Sequence, residues 1–285
     1  MRSRVEERLD VTRLLPGART VVALACNYHR GDEPSTIARY ARGRDYHATM
    51  RQRLRGFRRR LRERWPQVKD YGSVDAAPVM EKVWAARAGI GYVGKNGCFI
   101  TPQFGSWVVL SALILDAEVD AYGDGPAADR CGRCTLCITS CPTGAIEPGA
   151  RVDAGRCISY QTIENACEVP EHLREAHAGM TFGCDICQDV CPLNDSPVLA
   201  GERFAPRPVA ALSALQLAGM TREQYAQWIP GTAMARAQYD GLRRNAAYAL
   251  GAAREQAARP VLERLVRDEH PAVREAAAWA LKRLA

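Results

Sequence analysis

The run Cys131-Gly-Arg-Cys134-Thr-Leu-Cys137-Ile-Thr-Ser-Cys141-Pro142 decides the class of this chain. C-x2-C-x2-C-x3-C-P is the spacing with which three close thiolates hold one [4Fe–4S] cube while the fourth cysteine serves a second. Further along, Cys184-Asp-Ile-Cys187-Gln-Asp-Val-Cys191-Pro192 repeats the second half of that run, with Thr181 where the first cysteine would stand. Cys157 is the substitute, and Cys167 the spare. The crossed arrangement assigns Cys131, Cys134, Cys137 and Cys191 to one cube and Cys141, Cys157, Cys184 and Cys187 to the other. Zinc also accepts paired C-x2-C motifs, but structural zinc takes two pairs across a longer gap, and this run would waste ligands on one tetrahedral ion.

Composition agrees with a cytoplasmic redox protein. The 285 residues suffice for two or three domains. The start, Met1-Arg2-Ser3-Arg4-Val5, lacks the apolar core of a secretory signal, and no apolar stretch is long enough to span a membrane. Of eleven cysteines, eight have cluster roles. Cys26 and Cys98 lie in apolar segments that suit buried, inert thiols.

The formal charge of +7 is concentrated. Residues 51–64 carry an almost continuous series of arginines, while Leu54, Phe57, Leu61 and Trp65 recur at helical spacing. The pattern predicts an amphipathic helix with a guanidinium-covered outer face. Such a face is either solvated or turned to a polyanion.

Three segments follow from the chain's punctuation. Residues 1–122 mix strand-like runs (Thr20 to Ala25, Trp107 to Leu110) with helical stretches and read as an α/β domain. Residues 123–200, entered at Gly125-Pro126, are the cysteine-rich, ferredoxin-like two-cluster domain. Residues 201–285 are rich in alanine, leucine and arginine. Their small-residue helices around the turn Asp268-Glu-His270-Pro271 resemble a HEAT repeat, too short to stand alone. The fold class is therefore α+β in several parts. Arg243, Arg244 and Arg274 are further candidate phosphate contacts.

Gly89-Ile-Gly91-Tyr-Val-Gly94-Lys95-Asn96 satisfies G-x-G-x-x-G and nearly satisfies the P-loop pattern. Both need a strand before and a helix after. Here a helix-like Val79 to Arg87 precedes, and an extended Gly97 to Ile100 follows. The glycines suit a backbone turn or a close approach instead.

Taken in order, Asp45-Tyr46-His47, Val74-Asp75, Met80-Glu81, the Gly89 to Asn96 block and Gly105-Ser106-Trp107 precede the cysteine motifs. Cys157-Ile158-Ser159-Tyr160 and Phe182-Gly183-Cys184-Asp185 follow within them, and the HEAT-like tail closes the series. This ordered set resembles the epoxyqueuosine reductases, cobalamin-dependent iron–sulfur enzymes of queuosine-tRNA maturation, over about residues 11–285.

The resemblance implies a two-electron reduction that removes the epoxide oxygen of epoxyqueuosine at the tRNA anticodon wobble position. Electrons from an external donor would pass through two cubes to cobalamin. It implies that residues 1–122 are the cobalamin-binding domain and that Asp75 donates the proton to the departing oxygen. Read without it, Asp75 is a cap for the Pro78 to Arg87 helix. Cofactor contacts implied are Ala38, Asp75, the stretch Phe99 to Leu110, Ile158 and Asp185. His47 is not placed among the metal ligands. The expected partners are the anticodon stem-loop and the electron donor, with no membrane and a monomeric chain. The family carries a further segment before Leu14-Leu15-Pro16-Gly17, so the resemblance implies an N-terminally short form. Two rivals are a reductive dehalogenase-like enzyme and a two-cluster electron carrier. A ferredoxin has no use for the long Asp75 to Trp107 block.

Overall fold

The computed structural model describes residues 4–177 and 179–285. Residues 1–3, the start of the expected first segment, and residue 178 lie outside the described residues. The three sequence segments are arranged in two compact units. One comprises residues 1–29, 46–134 and 192–200, and the other residues 30–45, 135–191 and 201–285. The cysteine-rich and helical segments thus share a unit for most of their length.

In the first unit, helix α1 (Val5–Leu9) leads to strand β1 (Thr20–Asn27). Helix α2 (Tyr46–Arg64) follows, then β2 (Asp70–Ser73), α3 (Glu81–Arg87), β3 (Tyr92–Val93), β4 (Phe99–Ile100) and β5 (Val108–Leu115). The apolar run of β5 makes it the centre of an antiparallel sheet ordered β1-β5-β2. Thr20 pairs with Leu115 at one end and Asn27 with Val108 at the other, while Ser73 faces Ala112. Ala112, Leu113 and Ile114 are fully buried, and each large apolar side chain so placed contributes about 1.5–3 kcal/mol. The helix expected over 51–64 begins five residues earlier, at Tyr46, so the Tyr-His pair stands in its first turn.

The second unit holds α4 (Leu136–Thr139), the hairpin β6 (Ile146–Glu147) and β7 (Arg151–Val152), α5 (Ile158–Ile163), α6 (Glu171–Arg174) and α7 (Ile186–Asp189). Five helices complete it: α8 (Ala214–Ala218), α9 (Arg222–Trp228), α10 (Gln238–Ala252), α11 (Arg259–Leu265) and α12 (Pro271–Arg283). Ser213 and Thr221 close capping boxes at α8 and α9. Small residues let α10 and α12 approach closely. A Cβ on Gly251 would lie 2.6 Å from the Cα of Ala280. The turn before α12 is held by the His270 N–H donating to Asp268 Oδ1 at 3.0 Å, with Pro271 as first helical residue.

Arg244 joins the helical segment to the cysteine-rich one. It is 1% exposed, and its guanidinium donates to the carbonyls of Gln161 (2.8 Å), Asn165 (2.6 Å) and Cys167 (2.5 Å). Asn245 Nδ2 donates to the carbonyls of Thr162 (2.7 Å) and Thr181 (3.0 Å). The carbonyls at the end of α5 are thereby satisfied from α10.

Candidate active site

β2 ends at Ser73 and runs into a three-residue turn closed by the Ala76 N–H donating to the Val74 carbonyl at 2.6 Å. Asp75 is its central residue, at φ 54°. A left-handed conformation is costly for a residue with a Cβ, and such strain concentrates at functional positions. The turn is braced by Glu81, whose Oε1 accepts from the Asp75 N–H (3.2 Å) and from Ser73 Oγ (2.8 Å). Burial raises the pKa of Glu81. Asp75 does not cap α3: the N-cap is Met80, and the Asp75 carboxylate points elsewhere.

It points at the first turn of α2. The Tyr46 hydroxyl donates to Asp75 Oδ2 at 2.5 Å, and His47 Nε2 lies 3.6 Å from the same oxygen. The two rings stack with centroids 4.0 Å apart. The His47 imidazole, and after it the Tyr46 hydroxyl, hold the Asp75 carboxyl below its usual range against the opposing effect of burial. Its side chain remains 62% exposed, so the group is both charged and reachable. In the sequence Tyr46 stands only within the Asp45-Tyr46-His47 motif and His47 is set aside as a metal ligand; the signal that points to their contact with Asp75 is their adjacency at a helix start.

Among the described residues no cysteine is in a disulfide. Cys157 immediately precedes α5, Cys141 follows α4, and Cys184 and Cys187 lie at the start of α7. The Cys184 thiol is pushed up to about 12, by burial first and then by the neighbouring charges of Cys157, Asp185 and Cys141. These groups therefore share one neighbourhood. Burial raises the pKa of Cys141, but hydrogen bonds from Thr143 Oγ1 and from backbone N–H groups, including that of Ala145 at 3.3 Å, outweigh it and lower it. Donors aimed at sulfur are what a thiolate ligand requires. Cys167 is exposed, in the loop that Arg244 clamps.

The Cys131 loop is pinned by Lys95, whose Nζ donates to the carbonyls of Gly132 (2.7 Å) and Cys134 (2.9 Å). That gives the Gly89 to Asn96 block a structural task. A Cβ on Gly91 would fall 2.2 Å from the Ile100 carbonyl, so the block folds tightly onto β4. Among the described residues no three His, Cys, Asp or Glu side chains converge as ligands of a single ion. A cube takes one thiolate per iron and spreads its ligands around itself.

Of the expected cofactor contacts, Ala38, Ile158 and Asp185 are buried in the second unit. The Ala38 N–H donates to the Phe182 carbonyl (2.8 Å) and the Arg39 N–H to Asp185 Oδ2 (2.7 Å). Arg39 also reaches Asp185 (3.3 Å), Asp189 (2.6 Å) and Asp32 (3.0 Å). Burial pushes the Asp185 carboxyl up, and Arg39 opposes it. In the first unit, Phe99 is 3% exposed on β4 and Leu110 is half-buried on β5. The stretch from Phe99 to Leu110 contains no His, Cys, Asp or Glu.

The arginines divide differently than expected. Arg243 pairs with Asp268, Arg274 donates to the Asp268 and Glu269 carbonyls, and Arg244 is buried. All three are engaged by groups of the protein, with Arg244 buried, Arg243 partly buried and Arg274 exposed. Arg58 and Arg62 on α2 are likewise committed to Asp70, whose side chain is 1% exposed.

Strained acid, thiol neighbourhoods and helical tail define an iron–sulfur oxidoreductase with a HEAT-repeat segment. Family models agree: "4Fe-4S double cluster binding domain" matches residues 130–194, "Epoxyqueuosine reductase QueG, DUF1730" residues 8–76, and "HEAT repeats" residues 232–285. The epoxyqueuosine reductase of Gloeobacter violaceus is 40% identical over 261 residues, covering 86% of this chain and 80% of that relative. That of Leadbetterella byssophila is 39% identical over 254 residues, covering 87% and 82%. The chain belongs to the epoxyqueuosine reductase family. A solved epoxyqueuosine reductase with an epoxyqueuosine-modified tRNA-Tyr stem loop superposes with TM-score 0.92 at 29% identity, covering 99% of this chain and 78% of that one. The Bacillus subtilis enzyme, solved with its aspartate catalytic loop swung out of the active site, gives 0.91 at the same identity and coverage. Among the described residues no helix is long and apolar enough to cross a membrane.

Proposed function

We propose that this chain reduces the epoxide of epoxyqueuosine at the wobble position of a tRNA anticodon to give queuosine. Family membership supports the substrate, and the Asp75 turn with its Tyr46 and His47 partners is the observation that carries the chemistry. Removing the epoxide oxygen as water takes two electrons and two protons and leaves a carbon–carbon double bond. When bound, the two [4Fe–4S] clusters and cobalamin supply the electrons, drawn from an external donor in the cytoplasm.

Cys131, Cys134, Cys137 and Cys191 would hold one cube, and Cys141, Cys157, Cys184 and Cys187 the other. The shared neighbourhood of Cys141, Cys157 and Cys184 supports the second set. Ala38, Phe99, Leu110, Ile158 and Asp185 would meet the corrin, largely through backbone atoms, with residues 1–122 supplying most of its domain. The chain would act as a monomer.

Asp75 is the proton donor in this reading. Its carboxyl is ionised in the free protein, so Asp75 takes up a proton in the substrate complex before passing it to the departing oxygen, while Tyr46 and His47, which meet at the same carboxylate oxygen, position it. The strained turn keeps the carboxylate facing outward.

The test is anaerobic reconstitution with iron, sulfide and cobalamin, followed by turnover of epoxyqueuosine-tRNA with a low-potential chemical reductant as the electron source and a nucleoside digest. Queuosine in the digest is the expected product. An intact epoxide with fully loaded cofactors would overturn the reading.

A further inference from the structure

Beside the Asp75 turn the first unit holds a cavity of about 430 Å³. Its walls are Arg51, Arg55 and Arg58 on one face of α2, Arg4, and the chain from Tyr71 to Ala77, and no carboxylate lines it. The arginines of α2 have distinct duties. Arg58 holds the buried Asp70, Arg53 donates to Cys26 Sγ at 2.9 Å, and Arg59 lies 3.8 Å from Glu63. Arg51 and Arg55 are exposed and have no hydrogen-bond or ion-pair partner among the described residues. Two unneutralised guanidiniums one helical turn apart repel each other, and an oxyanion between them would relieve the repulsion.

We propose that this cavity is a phosphodiester subsite for the RNA substrate, with Arg51 and Arg55 as its ligands and Arg58 at its floor. The inference rests on the RNA reading above and adds where the backbone is gripped. Val74, Ala76 and Ala77 wall the cavity, while Asp75 between them turns its carboxylate to Tyr46 and His47. A phosphate seated there ties the position of the RNA backbone to the loop that carries the acid. Guanidiniums suit the task because their planar fork grips phosphate through two parallel hydrogen bonds.

The experiment measures binding of an anticodon stem-loop RNA to reconstituted protein across a salt series. The variants are the Arg51→Ala/Arg55→Ala pair, the Arg51→Lys/Arg55→Lys pair, and Arg60→Ala as an exposed control outside the cavity. Neutralising one phosphate on a single-stranded loop gives log K a salt slope of roughly −0.7. The alanine pair is expected to weaken binding tenfold or more at low salt and to flatten the slope by about that amount per lost contact. The lysine pair keeps the slope, which rules out misfolding as the cause, and Arg60→Ala changes neither. An alanine pair with wild-type affinity and slope overturns the subsite while leaving the RNA reading intact. Wild-type protein that fails to bind the stem-loop overturns both. Pyrophosphate is titrated in parallel: competition with RNA lost in the alanine pair supports the subsite. Pyrophosphate binding at the arginines without any effect on RNA would reassign the cavity to a free anion.

Discussion

Tyr46 and Asp75, 29 residues apart in the chain, meet through a 2.5 Å hydrogen bond from the phenol to Oδ2, with the aspartate held at φ 54°. An N-capping aspartate would have bonded to the N–H groups of α3; this one bonds to α2 instead. In the proposed role Asp75→Asn keeps the size and removes the acid. Turnover is expected to fall by roughly 10²–10⁴-fold, with cluster and cobalamin spectra unchanged. Tyr46→Phe is expected to lower turnover less and to shift its pH profile, because the carboxylate loses a donor that favours its charged form. Near-normal turnover by Asp75→Asn would move the residue to structure.

Iron content separates the two candidate fourth ligands of the second cube. Cys157→Ser removes a thiolate from the neighbourhood of Cys184 and Cys141 and is expected to bring iron from about eight per chain towards four. Cys167→Ser changes an exposed residue and is expected to leave iron near eight. The opposite pattern would exchange their roles.

How much of this was legible beforehand depended on sequence distance. Cysteine spacing is local, and β1, β5, α2 and α3 appear within a few residues of their apolar runs because period and length suffice. Antiparallel pairing of β1 with β5 joins residues 81 to 95 positions apart and leaves no local trace. Nor does the Tyr46–Asp75 contact. The arginines show the same limit from the other side. An exposed guanidinium and a buried one read identically, so Arg244 stood among phosphate contacts although it binds three carbonyls. Arg58 and Arg62 read only as part of a face either solvated or turned to a polyanion, because Asp70 lies beyond the helix end.

Arg244 yields a stability prediction. Arg244→Met would fill similar volume but leave the carbonyls of Gln161, Asn165 and Cys167 unpaired in the interior. Each orphaned acceptor costs about 1–3 kcal/mol, so a loss on the order of 4 kcal/mol in urea unfolding is expected. Arg244→Lys should recover part of it, since an ammonium cannot reproduce the fork. Because α5 begins beside Cys157, the Met variant should also lose iron faster to a chelator. Wild-type stability in the Met variant would mean that these carbonyls find other donors.

His177 supplies the pH dependence. It is fully buried against Tyr248, and among the described residues neither ring nitrogen has a hydrogen-bond partner. Burial, with the Arg244 charge nearby, pushes its pKa down from 6.5 to about 4. A base whose folded pKa is depressed stays neutral in the native state while the unfolded chain takes up a proton. Stability from this group is therefore complete above about pH 6.5 and falls as pH drops towards 4, below which its contribution is level. At about 1.4 kcal/mol per pH unit the full window is worth on the order of 3 kcal/mol. His177→Phe keeps a ring against Tyr248 but cannot take a proton. Anaerobic urea midpoints between pH 7.5 and 5.5, with cluster absorbance followed to exclude iron loss, should fall less steeply in the variant than in the wild type. Parallel lines for the two proteins would show that His177 is protonated as readily in the native state as in the unfolded chain.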